Sequence, residues 1–261
     1  MIQYNIFPQA KRRIVTFSYD DGKNDVALIK LFNKYNVKAT FHLNGENLNE
    51  NEIAEMRELY KGHEISCHTA NHGYPTGMAP ITITTETLNN RKLLEKIAQY
   101  PVVGMSYPCG AYNSATIEAM RSCGIVYSRT IKNTMSFLLP QDFMEWHPSC
   151  HHKDALSICD IFLRNLDSRW FAPLFYIWGH AVEFQTEEQW NVMIQILEKL
   201  SNNEKIWYAT NMEIYRYVTA QRNLVISADE TMFYNPSDID VWVEKDKTQV
   251  IMIPAGETVR I

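Results

Sequence analysis

The chain predicts an α/β fold: a parallel sheet closed or nearly closed into a barrel, followed by a small all-β appendage. Three observations carry this. Short β-branched or aromatic runs alternate with helical patterns through about seven βα units. The 261 residues match the roughly 250 that a single α/β barrel occupies. Past about Val218 the alternation stops and only strand patterns remain.

Each element has its own justification. Residues 13–19 form the first strand run, and a helix follows over 25–35, where Leu28, Leu31, Phe32 and Tyr35 recur at helical spacing. A strand over 37–43, a helix over 50–60 with Ile53, Met56, Leu59 and Tyr60 on one face, and a short strand over 63–68 repeat the pattern. A Gly/Pro-punctuated loop spans 72–80. Then come a helix over 85–99, a strand over 102–107, a helix over 114–123 closed by Gly124, and a strand over 125–130. Residues 131–153 carry no clear period. A helix over 155–166, a strand over 174–178, a helix over 187–200 and a strand over 206–210 complete the series. Strands over 223–228, 231–234, 239–244 and 249–254 make the appendage, which divides the chain at 217/218. Roughly forty residues bury too little to stand alone, so the appendage is expected to dock on the barrel. Sugar binding, with Trp242 and Tyr234 as candidate stacking residues, is weighed against oligomerisation or capping of the barrel, and capping is the expected role.

Composition narrows the class. At 46% hydrophobic and 21% charged the chain is an ordinary globular protein. A net charge of −5, with Lys11-Arg12-Arg13 as the one basic cluster, argues against nucleic acid as a partner. The strongly apolar stretch over 170–182 is interrupted by Pro173 and His180 and falls short of the roughly 20 residues of a spanning helix, so no membrane insertion is expected. No secretory signal is legible in the first residues, and the chain as given reads as cytoplasmic. The oligomeric state is left open. Five cysteines without paired spacing, Cys67, Cys109, Cys123, Cys150 and Cys159, read as reduced thiols.

The chemistry concentrates at strand ends. Asp20 and Asp21, followed by Gly22, sit just past the first strand, where barrel enzymes place functional groups. Two adjacent carboxylates repel unless a positive charge compensates, and a bound cation would let one act as ligand and the other as base. His68 and His72 follow another strand at i and i+4, a spacing that brings two imidazoles to one side of a turn. Two histidines and one carboxylate leave coordination positions open, which favours a catalytic over a structural site. His147, His151 and His152 share the irregular segment and could line a pocket, add a ligand or bind substrate. His42 and His63, with apolar neighbours, read as structural. Glu183, three residues after His180, reads either as its partner or as a solvated loop carboxylate.

These residues fall in stretches that resemble motifs of the polysaccharide deacetylases, a carbohydrate esterase family that includes chitin, chitooligosaccharide, peptidoglycan and xylan deacetylases. Thr16-Phe17-Ser18-Tyr19-Asp20-Asp21-Gly22 resembles the first motif and His68-Thr69-Ala70-Asn71-His72 the second. Ser106-Tyr107-Pro108-Cys109-Gly110 resembles the third and Ile177-Trp178-Gly179-His180 the last. The resemblance spans about Ile14 to Thr210. It implies a distorted (β/α)7-type barrel and a hydrolase that removes acetyl groups from an acetylated carbohydrate with a divalent metal, zinc first and cobalt, nickel or manganese next. Asp21, His68 and His72 would hold the metal, Asp20 would be the general base, His180 the general acid, and the backbone N–H of Cys109 an oxyanion donor. Tyr107, Trp146 and Trp178 are candidate substrate contacts.

Two departures stand out. The family's third motif opens with an arginine that pairs with the base, whereas this chain has Ser106 there; Arg129, near the end of the next strand, is the candidate substitute. The family's Asp-Trp pair beside the catalytic histidine has only an echo in Glu145-Trp146. A same-fold hydrolase of a non-sugar amide and a non-catalytic carbohydrate-binding protein are the alternative readings.

Overall fold

The computed structural model describes residues 1–45, 47–168 and 173–261; Trp170, which opens the apolar stretch noted above, lies outside them. The strands are β1 (Ile2–Gln3), β2 (Arg13–Asp20), β3 (Ala39–Leu43), β4 (Glu64–Cys67), β5 (Gly104–Ser106), β6 (Tyr127–Arg129), β7 (Cys150–His151), β8 (Leu174–His180) and β9 (Ile206–Tyr208). Past the barrel come β10 (Val225–Ile226), β11 (Met232–Tyr234), β12 (Val241–Lys245), β13 (Gln249–Ile253) and β14 (Thr258–Arg260). The helices are α1 (Asp25–Lys34), α2 (Glu50–Leu59), α3 (Pro80–Ala98), α4 (Ser114–Ser122), α5 (Ala155–Arg164), α6 (Glu187–Leu200) and α7 (Asn211–Arg222).

Strands β2 to β9 form one curled parallel sheet in the order β6-β5-β4-β3-β2-β8-β7, with β9 also on β2. Because β8 pairs with β2 from Ile14 to Asp20, β3 and β9 share the other edge of β2, at residues 17–20 and 13–15 respectively. Trp146 bridges Arg129 and so links the two ends of the sheet through residues 146–151. This is the distorted (β/α)7-type barrel that the resemblance implies.

Strand alternation makes this interior polar. Side chains of a strand point alternately to its two faces. Val15, Phe17, Tyr19, Phe41, Ile65, Cys67, Phe175 and Ile177 pack outward under the helices in the main core. The opposite phase, Thr16, Ser18, Asp20, Thr40, His42, Glu64, Ser66 and His68, is buried inside the barrel. Barrel interiors are ordinarily filled by Val, Ile and Leu, so this lining needs partners for every polar atom.

Helix starts are chemically marked. Asn49 with Glu52, Thr186 with Gln189 and Thr210 with Glu213 form capping boxes at α2, α6 and α7. Helix α3 begins at Pro80, five residues before the expected start at 85. Proline is pre-organised for the first helical position, while the run Ile81-Thr82-Ile83-Thr84-Thr85 has the β-branched composition that hides a helix. Thr84 and Thr85 hydroxyls donate to the Ile81 carbonyl at 2.9 and 2.8 Å, inside the helix.

Helix α7 runs through the boundary expected at 217/218. Its Tyr217 and Val218 pack with Phe7, Ile14 and Trp146 in a second core, while Ala220 packs with Phe233, Val241 and Ile253 in a third. The appendage is two small antiparallel sheets, β1-β12-β13 and β10-β11-β14, so the N-terminal residues Ile2 and Gln3 join it. No helix among the described residues is long and apolar enough to cross a membrane.

Candidate active site

All strands of the barrel are parallel, so their C-terminal ends share one face. Asp20 ends β2, Ser106 ends β5, Arg129 ends β6, His151 ends β7 and His180 ends β8, with His68 one residue past β4. Register aligns Asp20 with His180 on one side and His42 on the other, and Ser106 with Arg129. Asp21, Thr69, His72 and Cys109, all in the connecting turns, have φ of 75°, 60°, 53° and 56°. Left-handed backbone at non-glycine residues is uncommon and clusters at functional sites. The His68–His72 pair therefore meets through a tight loop and not through a helical turn.

Asp20 is buried and held on both oxygens. Arg129 Nη2 donates to Oδ2, and the Ser106 hydroxyl donates to Oδ1 at 3.1 Å. The arginine missing from position 106 is thus supplied from the neighbouring strand at the paired position. Arg129 is itself fully buried, with its guanidinium 4.5 Å from the Trp178 ring. Burial alone would raise the Asp20 carboxyl, but Arg129 first, with His68 and His180, outweighs it and holds the group well below the ordinary carboxylate range.

His68 Nδ1 lies 2.9 Å from the Ser106 carbonyl and 2.7 Å from its hydroxyl. A proton on Nδ1 satisfies the carbonyl and leaves the Nε2 lone pair free. That Nε2 is 3.7 Å from Asp21 Oδ1, and His72 Nε2 is also 3.7 Å from it. Burial pushes the His68 imidazole down toward the neutral form, which is the form that ligates a metal. Ligands at 2.0–2.1 Å from a tetrahedral ion are separated by roughly 3.4 Å, so a small divalent cation fits among Asp21, His68 and His72 with little movement. Their donor atoms all lie within 4.8 Å of one another.

His180 faces this group from across Asp20, with Nε2 at 4.0 Å from Asp20 Oδ2. Its Nδ1 is 2.7 Å from Glu183 Oε1. The hydrogen bond to Glu183 raises the His180 pKa against the opposing effect of burial. Glu183 is a hub: His151 Nε2 is 3.3 Å from Oε1, His152 Nε2 3.7 Å from Oε2, and Lys153 Nζ sits on Oε2. His151, His180 and Glu183 also bring three donor atoms together, but the Lys153 ammonium already neutralises the carboxylate. The group is an ion-pair hub that orients His180. Glu183 was reachable from sequence only by its i+3 offset.

Two expected substrate contacts are corrected. Tyr107 is fully buried, stacks on Tyr112 and donates its hydroxyl to the Met144 carbonyl at 2.8 Å. Trp146 is fully buried against Tyr127, Phe143 and Tyr176, so the Glu145-Trp146 echo does not reach His180. Trp178 does wall the site, with its ring against His180 and its Nε1 donating to Asn133 at 2.8 Å. Cys109 lies in the turn Pro108–Gly110 that follows β5 and is the exposed cysteine of the five, none of which is bridged. His147 is tied to the Thr130 hydroxyl at 2.7 Å. His152 is buried against Phe184 and Tyr19; a Cβ at Gly179 would come within 2.0 Å of its ring. His42 is fully enclosed beside Asp20, and His63 bridges the Ala39 amide and Asn33.

A parallel barrel with a two-histidine, one-carboxylate donor set at its C-terminal face defines the class. Residues 8–128, just under half of the chain, match the polysaccharide deacetylase family, the family whose motifs this sequence resembles. The peptidoglycan-N-acetylglucosamine deacetylase of Bacillus cereus is 27% identical over 115 residues, 43% of this chain and 54% of that protein. The chain thus spans about half the length of this relative. Among solved structures, the Xyl-CE4 domain of a multidomain xylanase from the hindgut metagenome of Trinervitermes trinervoides superposes with a TM-score of 0.55 at 21% identity, covering 80% of this chain and 92% of that one. The peptidoglycan deacetylase PdaC of Bacillus subtilis gives 0.54 at 19% identity, covering 83% and 95%. At these identities the two structures establish the shared fold.

Proposed function

We propose that the protein is a divalent-metal-dependent hydrolase that removes acetyl groups from an acetylated carbohydrate. The observation that carries this is the juxtaposition of three convergent donor atoms, on Asp21, His68 and His72, with an arginine-held carboxylate and a glutamate-held imidazole. A cation held there would supply Lewis acidity, lowering the pKa of water from about 15.7 toward about 7 and polarising the acetyl carbonyl.

The chain's own residues do the rest. Asp20, ionised at neutral pH and fixed by Arg129 and Ser106, accepts the proton of the attacking water. His180 keeps Nδ1 on Glu183 and directs Nε2 toward the reacting group, where it gives its proton to the departing nitrogen or oxygen. Its raised pKa increases the fraction that carries that proton at neutral pH. The backbone N–H of Cys109, in the left-handed turn after β5, donates to the tetrahedral oxyanion. Trp178 supplies the apolar wall.

Relatives named for peptidoglycan make N-acetylglucosamine polymers the first substrates to try, with zinc as the first metal. The test is acetate release by protein stripped of metal and reloaded with zinc, cobalt, nickel or manganese. Release that requires metal and vanishes in Asp20→Asn supports the proposal; tight metal uptake with no release from any acetylated glycan would defeat it.

A further inference from the structure

Away from the catalytic face, a groove between barrel and appendage is unused by this chemistry. Its volume of about 420 Å³ falls within the roughly 300–1,000 Å³ of small-molecule sites, which favour domain junctions. Trp207, Glu213, Arg216, Asp238, Asp240 and Trp242 line it. Trp207 pairs with Ile14, at the far end of β2 from Asp20. At about 3.3 Å per residue the groove lies roughly 20 Å from the catalytic carboxylates.

Both indoles are half-buried and each is backed by another ring. Trp207 lies against Phe7, with centroids 6.4 Å apart and planes at 18°, and Trp242 against Tyr217 at 6.4 Å and 30°. The backing fixes two aromatic surfaces at the groove. Its charges are unequal, with three carboxylates against one guanidinium. Asp238 is paired with Arg216 at 2.7 Å, and Glu213 with Lys38. Asp240 accepts only the Ala255 amide, at 3.0 Å, and has no cationic partner among the described residues.

A rigid aromatic surface beside an uncompensated carboxylate suits a ring with one apolar face and one positive charge. We propose that this groove binds an amino sugar bearing a free ammonium, with its C–H face on the indoles and its ammonium toward Asp240. This rests on the deacetylase reading, because such a sugar is the unit that removal of an N-acetyl group leaves behind. A product site on the far side of the barrel would keep the protein on a partly processed polymer and raise its effective affinity without new catalytic contacts.

Calorimetric titration of the Asp20→Asn protein with the glucosamine hexamer and with its N-acetylated counterpart tests this. The deacetylated hexamer should bind more tightly, and Trp242→Ala and Asp240→Asn should each weaken it about fivefold or more. Asp240→Asn changes no packing, so it stays informative if Trp242→Ala folds poorly. Equal binding of the two hexamers, or an affinity for the deacetylated one that Asp240→Asn leaves unchanged, would overturn the proposal. Acetate release by the unaltered protein is measured separately, so failure of the deacetylase reading is seen on its own.

Discussion

The two ends of the barrel interior are built from the same strands with the same alternation, yet they use polar residues in opposite ways. At the N-terminal end Glu64 accepts hydrogen bonds from Tyr127 and Thr40 and from the Met212 amide at the start of α7, so both its oxygens are satisfied. Asn211 closes the same end, donating to the Tyr176 hydroxyl and accepting from Thr16. At the C-terminal end Asp21 Oδ1 instead faces two imidazole nitrogens at 3.7 Å, beyond hydrogen-bond distance. One cluster is closed and the other has donor atoms aimed at a common point. Asp21 and His72 are open to solvent, at 20% and 37% side-chain exposure, so the convergent set is also the one that a ligand can reach.

The largest expected effect breaks the open end. Asp20→Asn should lower kcat by about 10²–10⁴ while metal content stays whole, whereas Asp21→Ala and His68→Ala should each lose the metal. Elemental analysis beside acetate release checks this. Metal loss in Asp20→Asn, with retention in Asp21→Ala, would reverse the roles of the two carboxylates. Arg129→Met should come next, because it leaves a buried carboxylate without its partner. Breaking such a pair costs about 3–5 kcal/mol of stability, seen as a lower Tm, and Lys at 129 should restore part of it.

Glu183→Gln sharpens the contrast from the acid side. Because Glu183 raises the His180 pKa, its removal should move the alkaline fall of kcat to lower pH. The turnover number should drop about tenfold or more with metal content unchanged. An unshifted pH profile would show that Glu183 only packs the loop.

The closed end should respond in stability alone. Burial raises the Glu64 pKa from 4.5 to about 7. A carboxyl raised in the folded state favours folding below its unfolded value and loses that advantage as pH climbs through the folded one. Stability should therefore fall between about pH 4.5 and 7, by roughly 3 kcal/mol at most. In Glu64→Gln that slope should flatten while acetate release is kept; denaturant melts across this range check it.

Much of this was legible in the sequence because it depends on local pattern. The β-branched and aromatic runs over 13–19 and 63–68 announce strands, and Asp20, Asp21, His68, His72 and His180 all fall at strand ends that the structure brings to one face. What escaped is set by distance across the barrel. Arg129 could be named as a candidate, but its meeting with Asp20 depends on the β5–β6 register. Tyr107 and Trp146 read as substrate contacts from their place in or beside the motifs, yet both lie just outside strands and are buried, Tyr107 on Tyr112 and Trp146 among Tyr127, Phe143 and Tyr176. The strand β7 has only two residues, too few to show a period, and α7 begins where the barrel's last strand passes directly into a capping box.

The most direct measurement is metal content and acetate release on the same samples of unaltered protein, Asp20→Asn and Asp21→Ala, with N-acetylglucosamine oligomers as substrate. The open cluster predicts metal and release in the first, metal without release in the second, and neither in the third. Release that persists in the metal-free protein, or in Asp20→Asn, would contradict it.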